Sequence, residues 1–467
     1  MHRALTRPVT LASSVVGAVV VALDGTVLTV AQPTLQRDLH ASFAQVQWTS
    51  TAYLIAVASL LVFAGRLGDR YGHHRLFGVG MLGFGAASAG IGVAPGIGWV
   101  IGLRVAQGIF GALLQPATLG MLRAAFPPDR LGMPIALRTS AIGLAAAAGP
   151  VVGGILVTRL GWRSVFFLNV VPALVMGVLA LAVRAPAPDK DRGPASRLDL
   201  PGAGLLALAL VCLVQALVET SRTGWTAATA LGLAGFAGAG AAFVRHERRT
   251  ACPLVPPDVL GSRAVGAALA VLVAASASLF GALFVGVYYL QDVLGLDPFG
   301  SSLRALPLAV AMVLAAPLAA VLMRRFGPRR TTGAAMVLLV VGELLLSRLD
   351  RASTDGAIGG GFLLLGAGFG TAMVTATAVV VRHASARSAG VAGGLQQTAM
   401  NVGPTLGVAV ATTLMTFTGV AMGPTLTALA AMSVIGAVFA LRLPGNSEVV
   451  PAPHPPSGAE AQVRTRS

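Results

Sequence analysis

The amino-acid sequence predicts an all-α protein that crosses a membrane many times. Of its 467 residues, 55% are hydrophobic and only 11% are charged, and the mean hydropathy is +0.80, whereas about one quarter of a soluble domain is charged. The apolar residues recur in runs of about 20, the length that an α-helix needs to cross the hydrocarbon core of a bilayer. We therefore expect a polytopic bundle of transmembrane helices surrounded by lipid.

The apolar runs give fourteen candidate spans in chain order. They lie near residues 11–31, 46–64, 76–94, 97–122, 133–157, 164–183, 202–219, 226–244, 264–290, 302–323, 331–347, 357–381, 389–416 and 424–441. Polar segments that contain proline divide the spans into groups of six, two and six. The predicted domains are an N-terminal six-helix bundle (1–183), cytoplasmic linkers with two extra transmembrane helices (184–262), a C-terminal six-helix bundle (263–443) and a disordered cytoplasmic tail (444–467).

Basic residues are distributed unevenly between the loops. The chain has 33 Arg and Lys residues against 17 Asp and Glu. If the spans alternate in direction, 24 of the basic residues fall on the side of the termini, seven on the opposite side, and two, Arg104 and Arg138, within spans. Because basic loops stay in the cytoplasm, both termini are predicted to be cytoplasmic. The Arg, Ala and Gly bias is typical of a GC-rich bacterial genome and indicates a bacterial plasma membrane.

The sequence carries no signature of an enzyme or of an ATP-driven pump. Its seven histidines form no metal-ligand spacing, it has no phosphate-binding loop, and its two cysteines, Cys212 and Cys252, are isolated. The basic residues are scattered, whereas a nucleic-acid-binding surface gathers them in one patch. We expect no catalytic residue, metal, cofactor or nucleic acid, and a proton gradient as the energy source.

The two six-helix groups carry an internal repeat. LLVFAGRLGDRYGHHR (60–75) aligns with AAPLAAVLMRRFGPRR (315–330) at a constant offset of 255 residues, so that Gly72 matches Gly327. Parallel repeats of this kind build some secondary transporters, whose substrate site lies between the halves near the middle of the membrane. Arg324 stands where the first copy has Asp69. A contact made by this carboxylate is therefore expected in one copy only.

Four motifs resemble a family of transporters. GRLGDRYGHHR (65–75) resembles the loop signature of the major facilitator superfamily, although His73 and His74 stand where a basic pair is usual. The other motifs are LDGTVLTVAQP (23–33), RVAQGIFGALLQP (104–116) and GLAAAAGPVVGG (143–154), the last followed by WRSVFFLN (162–169). Together with fourteen spans, they resemble the drug and proton antiporters of EmrB/QacA type.

This resemblance implies a major facilitator fold of two six-helix bundles plus two intervening helices, with the first and fourth spans lining a central cavity. It implies that the cytoplasmic loop motif takes part in gating, through Gly65, Asp69, Arg70, Gly72 and Arg75. It also associates a stretch of the fifth span with the direction of export, through Gly149, Pro150, Gly153 and Gly154. Proline removes a helix hydrogen bond there and glycine admits a neighbouring helix, so helix packing alone is the alternative interpretation.

Two opposite charges are expected to meet inside the membrane. An arginine at the centre of a span costs roughly 2.5 to 3.5 kcal/mol on insertion scales, so Arg104 needs a partner. Asp24 lies roughly 12 Å below the outer end of the first span, and Arg104 roughly 10 Å below the same face. Because the exposure of such a carboxyl changes during transport, it can load and release a proton. The alternative is a permanent neutral pair that only orders the bundle.

Other polar residues in the spans are weaker candidates for a substrate cavity. These candidates are Gln107, Gln115, Arg138, Tyr288, Tyr289, Gln397 and Asn401. For Arg138, snorkelling to the nearby cytoplasmic interface is slightly favoured, and a position in the cavity would favour anionic or zwitterionic cargo. Glu343 is expected to snorkel towards the outer leaflet, with Arg348 as a possible partner.

The sequence thus predicts an efflux transporter that exchanges protons for small amphipathic drugs or antibiotics by alternating access, without an obligate protein partner. A dedicated exporter of one endogenous metabolite, or a symporter on the same scaffold, is the alternative within transport. A non-transporting membrane sensor is the alternative from another class, although such a protein would not need charged residues in its cavity.

Overall fold

The computed structural model describes residues 2–127, 130–182, 198–250, 253–256, 259, 261–296, 298–350, 353–385, 388–418 and 422–445. The ordered elements of this part of the chain are helices joined by turns. In chain order they are α1 (His2–Asp38), α2 (Phe43–Tyr71), α3 (His73–Gly92), α4 (Ile97–Ala125), α5 (Gly132–Leu160), α6 (Arg163–Phe167), α7 (Val170–Ala182), α8 (Leu200–Thr223), α9 (Ala227–Glu247), α10 (Arg263–Tyr288), a π-helical turn (Tyr289–Val293), α11 (Pro298–Leu346), α12 (Asp355–His383), α13 (Ala389–Thr418) and α14 (Met422–Ala440). Residues 184–197 of the predicted linker and residues 446–467 of the predicted tail lie outside the described residues.

Within those residues, ten helices are long and apolar enough to cross a membrane, whereas the sequence predicts fourteen spans. The helices α3, α5 and α13 are not among the ten, and α11 counts once although two predicted spans meet inside it. At that point Gly327 has a φ of 80°, and Pro328 follows it and has no N–H to donate. The count of fourteen spans stays a prediction.

The internal repeat is visible in the backbone. Gly72, which ends α2 and begins α3, has a φ of 96°, and Gly327, its match in the second copy, has a φ of 80°. This left-handed region is rarely open to residues with a Cβ. Each half therefore turns at its glycine, which explains why that residue occupies the same position in both copies.

The helices pack in two groups that meet along two seams. In the first group α1 packs on α5, α3 packs on α7, and α4 packs on α2 and α3. In the second group α10 packs on α13 and α14, and α11 packs on α12 and α14. The groups meet where α2 packs on α13 and where α5 packs on α11. The pair α8 and α9 lies beside the first of these seams, because α8 contacts both α2 and α13.

The seam between α2 and α13 is closed at the end where α2 turns into α3, which we call the motif end. A Cβ on Gly65 would overlap the carbonyl oxygen of Gly390, and a Cβ on Gly394 would lie 2.5 Å from the carbonyl oxygen of Leu61. Asp69 accepts hydrogen bonds from the backbone N–H groups of Gly390, at 2.7 Å, and of Val391, at 3.1 Å. These donors lie in the first turn of α13, where a helix has no internal acceptors for them.

His73 occupies the point where three helices meet at the motif end. Its Nε2 lies 3.3 Å from Asp69 Oδ1. Its ring fills the space that Cβ atoms on Gly68, Gly120 and Gly390 would need. The glycines of α2, α4 and α13 thus make room for a flat imidazole beside the carboxylate that holds the seam.

At the opposite end, the first half is fastened by an exposed cluster. Asp38, at the end of α1, accepts hydrogen bonds from Trp162 Nε1 at 2.8 Å and from Arg163 Nη1 at 2.6 Å. The hydrogen bond from Trp162 and the neighbouring Arg163 lower the pKa of the Asp38 carboxyl below its usual value. This cluster gives the WRSVFFLN motif a structural task, which is to fix the start of α6 against α1.

We predict that Gly65→Ala lowers the thermal stability of the purified protein by several degrees, because the new methyl group collides with the backbone of α13. Overpacking of this kind costs about 1–3 kcal/mol. Gly102→Ala is the matched control, since nothing lies within 4 Å of its Cβ position in α4, and alanine gains up to about 1 kcal/mol in helix propensity. Equal melting temperatures for the two variants in detergent would contradict the tight seam.

Candidate functional site

Asp24 and Arg104 form an ion pair inside the first half of the bundle. Arg104 Nη1 on α4 donates to Asp24 Oδ2 on α1 at 2.5 Å. The whole residues are only 3% and 1% exposed, respectively. Breaking a buried pair by removing one partner typically costs about 3–5 kcal/mol, because the remaining charge is uncompensated. The pair therefore joins α1 to α4 at a depth where water does not reach it.

The guanidinium of Arg104 has further partners on every side. Its Nη1 also donates to Gln107 Oε1 at 2.9 Å, one turn along α4. Its Nε donates to the carbonyl oxygen of Thr49 at 3.0 Å, and its central carbon lies 4.3 Å from the ring centroid of Tyr53, which is a cation–π distance. α2 thus supplies a carbonyl and an aromatic face that hold this cation in one orientation.

Asp24 has amide donors in addition to its ion pair. Asn169 Nδ2 donates to Asp24 Oδ1 at 3.0 Å, and Gln107 Nε2 lies 3.4 Å from the same oxygen. Gln107 Nε2 also donates to Ser88 Oγ on α3 at 2.7 Å. Asn169 reaches the carboxylate because the predicted span 164–183 is interrupted there by the turn between α6 and α7.

Sequence reasoning missed several members of this network, namely Thr49, Tyr53, Ser88 and Asn169. A signal for Asn169 exists, since it is an amide inside the apolar run VFFLNVVPALV, and a polar side chain in a span needs a partner. Thr49 acts through its backbone carbonyl, which every residue has. No sequence pattern marks it.

The guanidinium of Arg104 has partners besides Asp24. If the ion pair opened, the guanidinium would keep the Gln107 and Thr49 oxygens and the Tyr53 ring as partners. Opening of the ion pair would therefore not leave Arg104 without polar contacts.

The glycines of the fifth-span motif pack α5 against α1 next to this site. A Cβ on Gly149 would overlap the Thr26 side chain, and a Cβ on Gly153 would lie 2.9 Å from Val27 Cγ1. Gly154 has nothing within 4 Å of its Cβ position, and the side chain of Pro150 lies outside the described residues. Thr26 and Val27 lie two and three residues after Asp24 on α1, so α5 supports the segment that carries the carboxylate.

Two of the predicted cavity residues connect the halves of the bundle. Gln397 Nε2 on α13 donates to Gln115 Oε1 on α4 at 2.5 Å, and both side chains are buried. Asn401 Nδ2 donates to the carbonyl oxygen of Gln397 at 2.8 Å along the same helix. We call the contact between Gln115 and Gln397 the glutamine bridge.

The two tyrosine candidates lie elsewhere. Tyr288 is 42% exposed and packs on Phe284 with a centroid distance of 5.0 Å. Tyr289 is buried and donates its hydroxyl to the carbonyl oxygen of Asp350 at 2.6 Å. In the loop motif, the guanidinium of Arg70 lies 5.1 Å from the ring centroid of Tyr71, and Arg75 is exposed.

Two charged residues that were expected to snorkel are buried. Arg138 is 2% exposed, so the expectation that it reaches the interface is wrong in this structure. Glu343 is 0% exposed, and its carboxylate oxygens have no hydrogen-bond partner within the described part of the chain. Ser278 and Ser433, which lie beside it, bond to each other at 2.7 Å. These two side chains do not reach the membrane interface because they point into the bundle, and the direction of a helical side chain is set by its position on the helix.

We predict that Glu343→Leu leaves the melting temperature of the protein unchanged or raises it, because no ion pair is lost and an apolar side chain suits the site. Asp24→Leu is the comparison, and it should lower the melting temperature, since it leaves Arg104 without its carboxylate. A loss of stability in Glu343→Leu as large as that in Asp24→Leu would reveal a strong partner for Glu343.

The chain is similar to known transport proteins over most of its length. Residues 15–301 and 266–466 match the Major Facilitator Superfamily. The tetracenomycin C resistance and export protein of Streptomyces glaucescens is 42% identical over 411 residues, which cover 87% of this chain and 75% of that protein. The puromycin resistance protein pur8 of Streptomyces alboniger is 35% identical over 406 residues, which cover 85% and 79%.

The fold is shared with a more distant solved structure. The human organic anion transporter MFSD10 (TETRAN) superposes with a TM-score of 0.67 at 15% sequence identity, over 93% of this chain and 99% of that one. At this identity the likeness concerns the fold alone. The family match across both halves and the identity with the bacterial relatives show that the chain belongs to the Major Facilitator Superfamily.

Proposed function

We propose that the protein exports small amphipathic molecules, antibiotics among them, in exchange for protons. The observation that carries this proposal is the buried ion pair of Asp24 and Arg104. In the proposed mechanism a proton on Asp24 takes the place of the guanidinium. The direction of transport is supported by the relatives, which are named as resistance and export proteins. The energy source in this proposal is the proton gradient, and the protein needs no cofactor or catalytic step.

The proposed setting is the plasma membrane of a bacterium, with fourteen spans as in the EmrB/QacA-type antiporters and both termini in the cytoplasm. The arginines at the motif end, among them Arg66, Arg70 and Arg75, support this orientation, because basic loops stay inside. The closed seam would then face the cytoplasm, and the structure would represent a state closed on that side.

In the proposed cycle, Asp24 takes up a proton in one step and releases it in another. A proton that enters from outside neutralises Asp24 while cargo leaves, and Arg104 keeps its other partners. The halves then rock, which requires two contacts to break: the Asp69 hydrogen bonds to α13 at the motif end and the glutamine bridge deeper in the bundle. Release of the proton into the cytoplasm restores the ion pair and the cargo-loading state.

A dedicated exporter of one metabolite is the second candidate. It is favoured by the name of the 42% identical relative, which mentions a single compound. Transport of one compound from a panel, rather than of several unrelated compounds, would decide for it. Both candidates require the same proton-coupling pair.

We predict that Asp24→Asn abolishes proton-driven uphill transport and spares exchange of cargo down its own gradient, because the amide keeps the shape of the carboxyl but cannot take up a proton. The assay uses inverted vesicles with an imposed pH gradient and a panel of antibiotics and dyes. Asp38→Asn is the matched control on the same helix, since its side chain is 47% exposed at the far end.

Full proton-driven transport by Asp24→Asn would remove Asp24 from the coupling step and leave the ion pair structural. Loss of transport in both Asp24→Asn and Asp38→Asn would indicate a general defect of assembly on α1. Only the loss in Asp24→Asn together with retained exchange supports proton antiport.

A further inference from the structure

Arg138 is a buried cation that has no counter-charge among the residues that the structure describes. It lies in α5, six residues after the start of that helix, and is 2% exposed. Its Nε has no hydrogen-bond partner, and among the described residues no ion pair or ring contact involves its guanidinium. The guanidinium stays protonated in proteins, so burial does not neutralise it.

Arg104 is a buried arginine whose guanidinium has all the partners it needs within the protein. Its guanidinium has a carboxylate, an amide oxygen, a backbone carbonyl and an aromatic face as partners. Arg138 is buried to a similar extent and has none of these within the described residues. An unpaired buried charge is costly, so Arg138 is expected to gain a partner from outside the chain during the transport cycle.

The position of Arg138 on α5 points to the first half of the bundle rather than to lipid. On a helix of 3.6 residues per turn, Arg138 shares a face with Gly149, eleven residues further on, which packs against Thr26 of α1. On α1 the buried hydroxyls of Thr10, Ser13 and Ser14 lie twelve to sixteen residues before Thr26, and Ser14 donates its hydroxyl to the carbonyl oxygen of Thr118 on α4.

The surroundings combine this charge with an apolar wall. Leu131 and Ile135, in the turns before Arg138, belong to a buried cluster that also contains Leu119 of α4, Ala316 of α11 and Val374 of α12, so the cluster lies where the two halves meet. An amphipathic molecule with an acidic group could place its charge on the guanidinium and its apolar body on this cluster. A carboxylate fits best, because its two oxygens match the fork of the guanidinium in a bidentate contact.

We propose that Arg138 is a cargo-binding residue that selects amphipathic organic anions with a carboxylate or an equivalent planar acidic group. This inference rests on the proposed export function and names the substrate class for it. Arg138 lies roughly 9 Å from the first residue of α5, on the side of the closed seam. Opening of the motif end would therefore present the guanidinium to cargo that enters from that side.

The test compares a monocarboxylate dye with its uncharged methyl ester, using the full-length protein. Binding of both compounds is measured in detergent, where no proton gradient is needed. The wild type should bind the acid at least about tenfold more tightly than the ester, as expected for one charge-assisted hydrogen bond. Arg138→Gln should abolish this difference by weakening the acid alone, and Arg138→Lys should retain part of it, because a point charge remains without the fork.

Thermal stability without ligand separates this role from a structural one. Arg138→Gln should melt at the wild-type temperature or higher, because no partner is lost. A lower melting temperature, equal binding of acid and ester by the wild type, or equal weakening of both compounds in Arg138→Gln would each overturn the proposal.

Asp129 is the acidic residue nearest to Arg138 in the sequence and lies outside the described residues. A loss of stability or of acid selectivity in Asp129→Asn would identify it as the counter-ion instead and also overturn the proposal.

The binding readout stays independent of the proposed export function. If the protein binds the acid through Arg138 but shows no proton-driven transport of any compound, the export proposal fails and the anion site remains. If proton-driven transport occurs without any preference between acid and ester, the export proposal remains and the anion site fails.

Discussion

In the first half of this protein, the arrangement of the helices depends on how a charge is stabilised in a medium without water. One ion pair, Asp24 with Arg104, meets this cost with contacts from several elements: α1 and α4 supply the charges, α2 a carbonyl and a ring, and the turn between α6 and α7 an amide. Each contact restrains a helix that hydrophobic packing alone would leave free to slide, because lipid tails are as apolar as the helix surfaces. The polar network therefore fixes the mutual register of these helices.

A second constraint acts at the interface of the halves. The carboxylate of Asp69 and the amide of Gln115 both connect the first half to α13, one by backbone hydrogen bonds and the other by a side-chain bond. These contacts are few compared with the packing inside each half. The larger packing surfaces inside each half therefore hold that half together independently of these connections.

Much of the site could be predicted from the sequence because charges inside apolar spans are rare. Asp24 and Arg104 lie at similar depths in spans that the motifs identify, so few partners had to be considered. The burial of Arg138 and Glu343 could not be predicted, since helices that are apolar on all sides do not reveal which face points inwards. Thr49 could not be predicted because it acts through its backbone carbonyl, whereas Asn169 was missed although it is a polar residue inside an apolar run. The bend at Gly327 explains why two predicted spans appear as one long helix.

The seam of α2 with α13 is made largely of backbone atoms, since Gly65, Gly390 and Gly394 carry no side chains. Closing such a surface immobilises few rotatable bonds, whereas closing a surface of long side chains costs up to about 2 kcal/mol of conformational entropy for each of them. Opening the seam likewise frees few rotatable bonds and gains little conformational entropy. The side-chain entropy term in the free energy of closing this seam is therefore small, so the hydrogen bonds that Asp69 accepts and the backbone packing decide how firmly it closes.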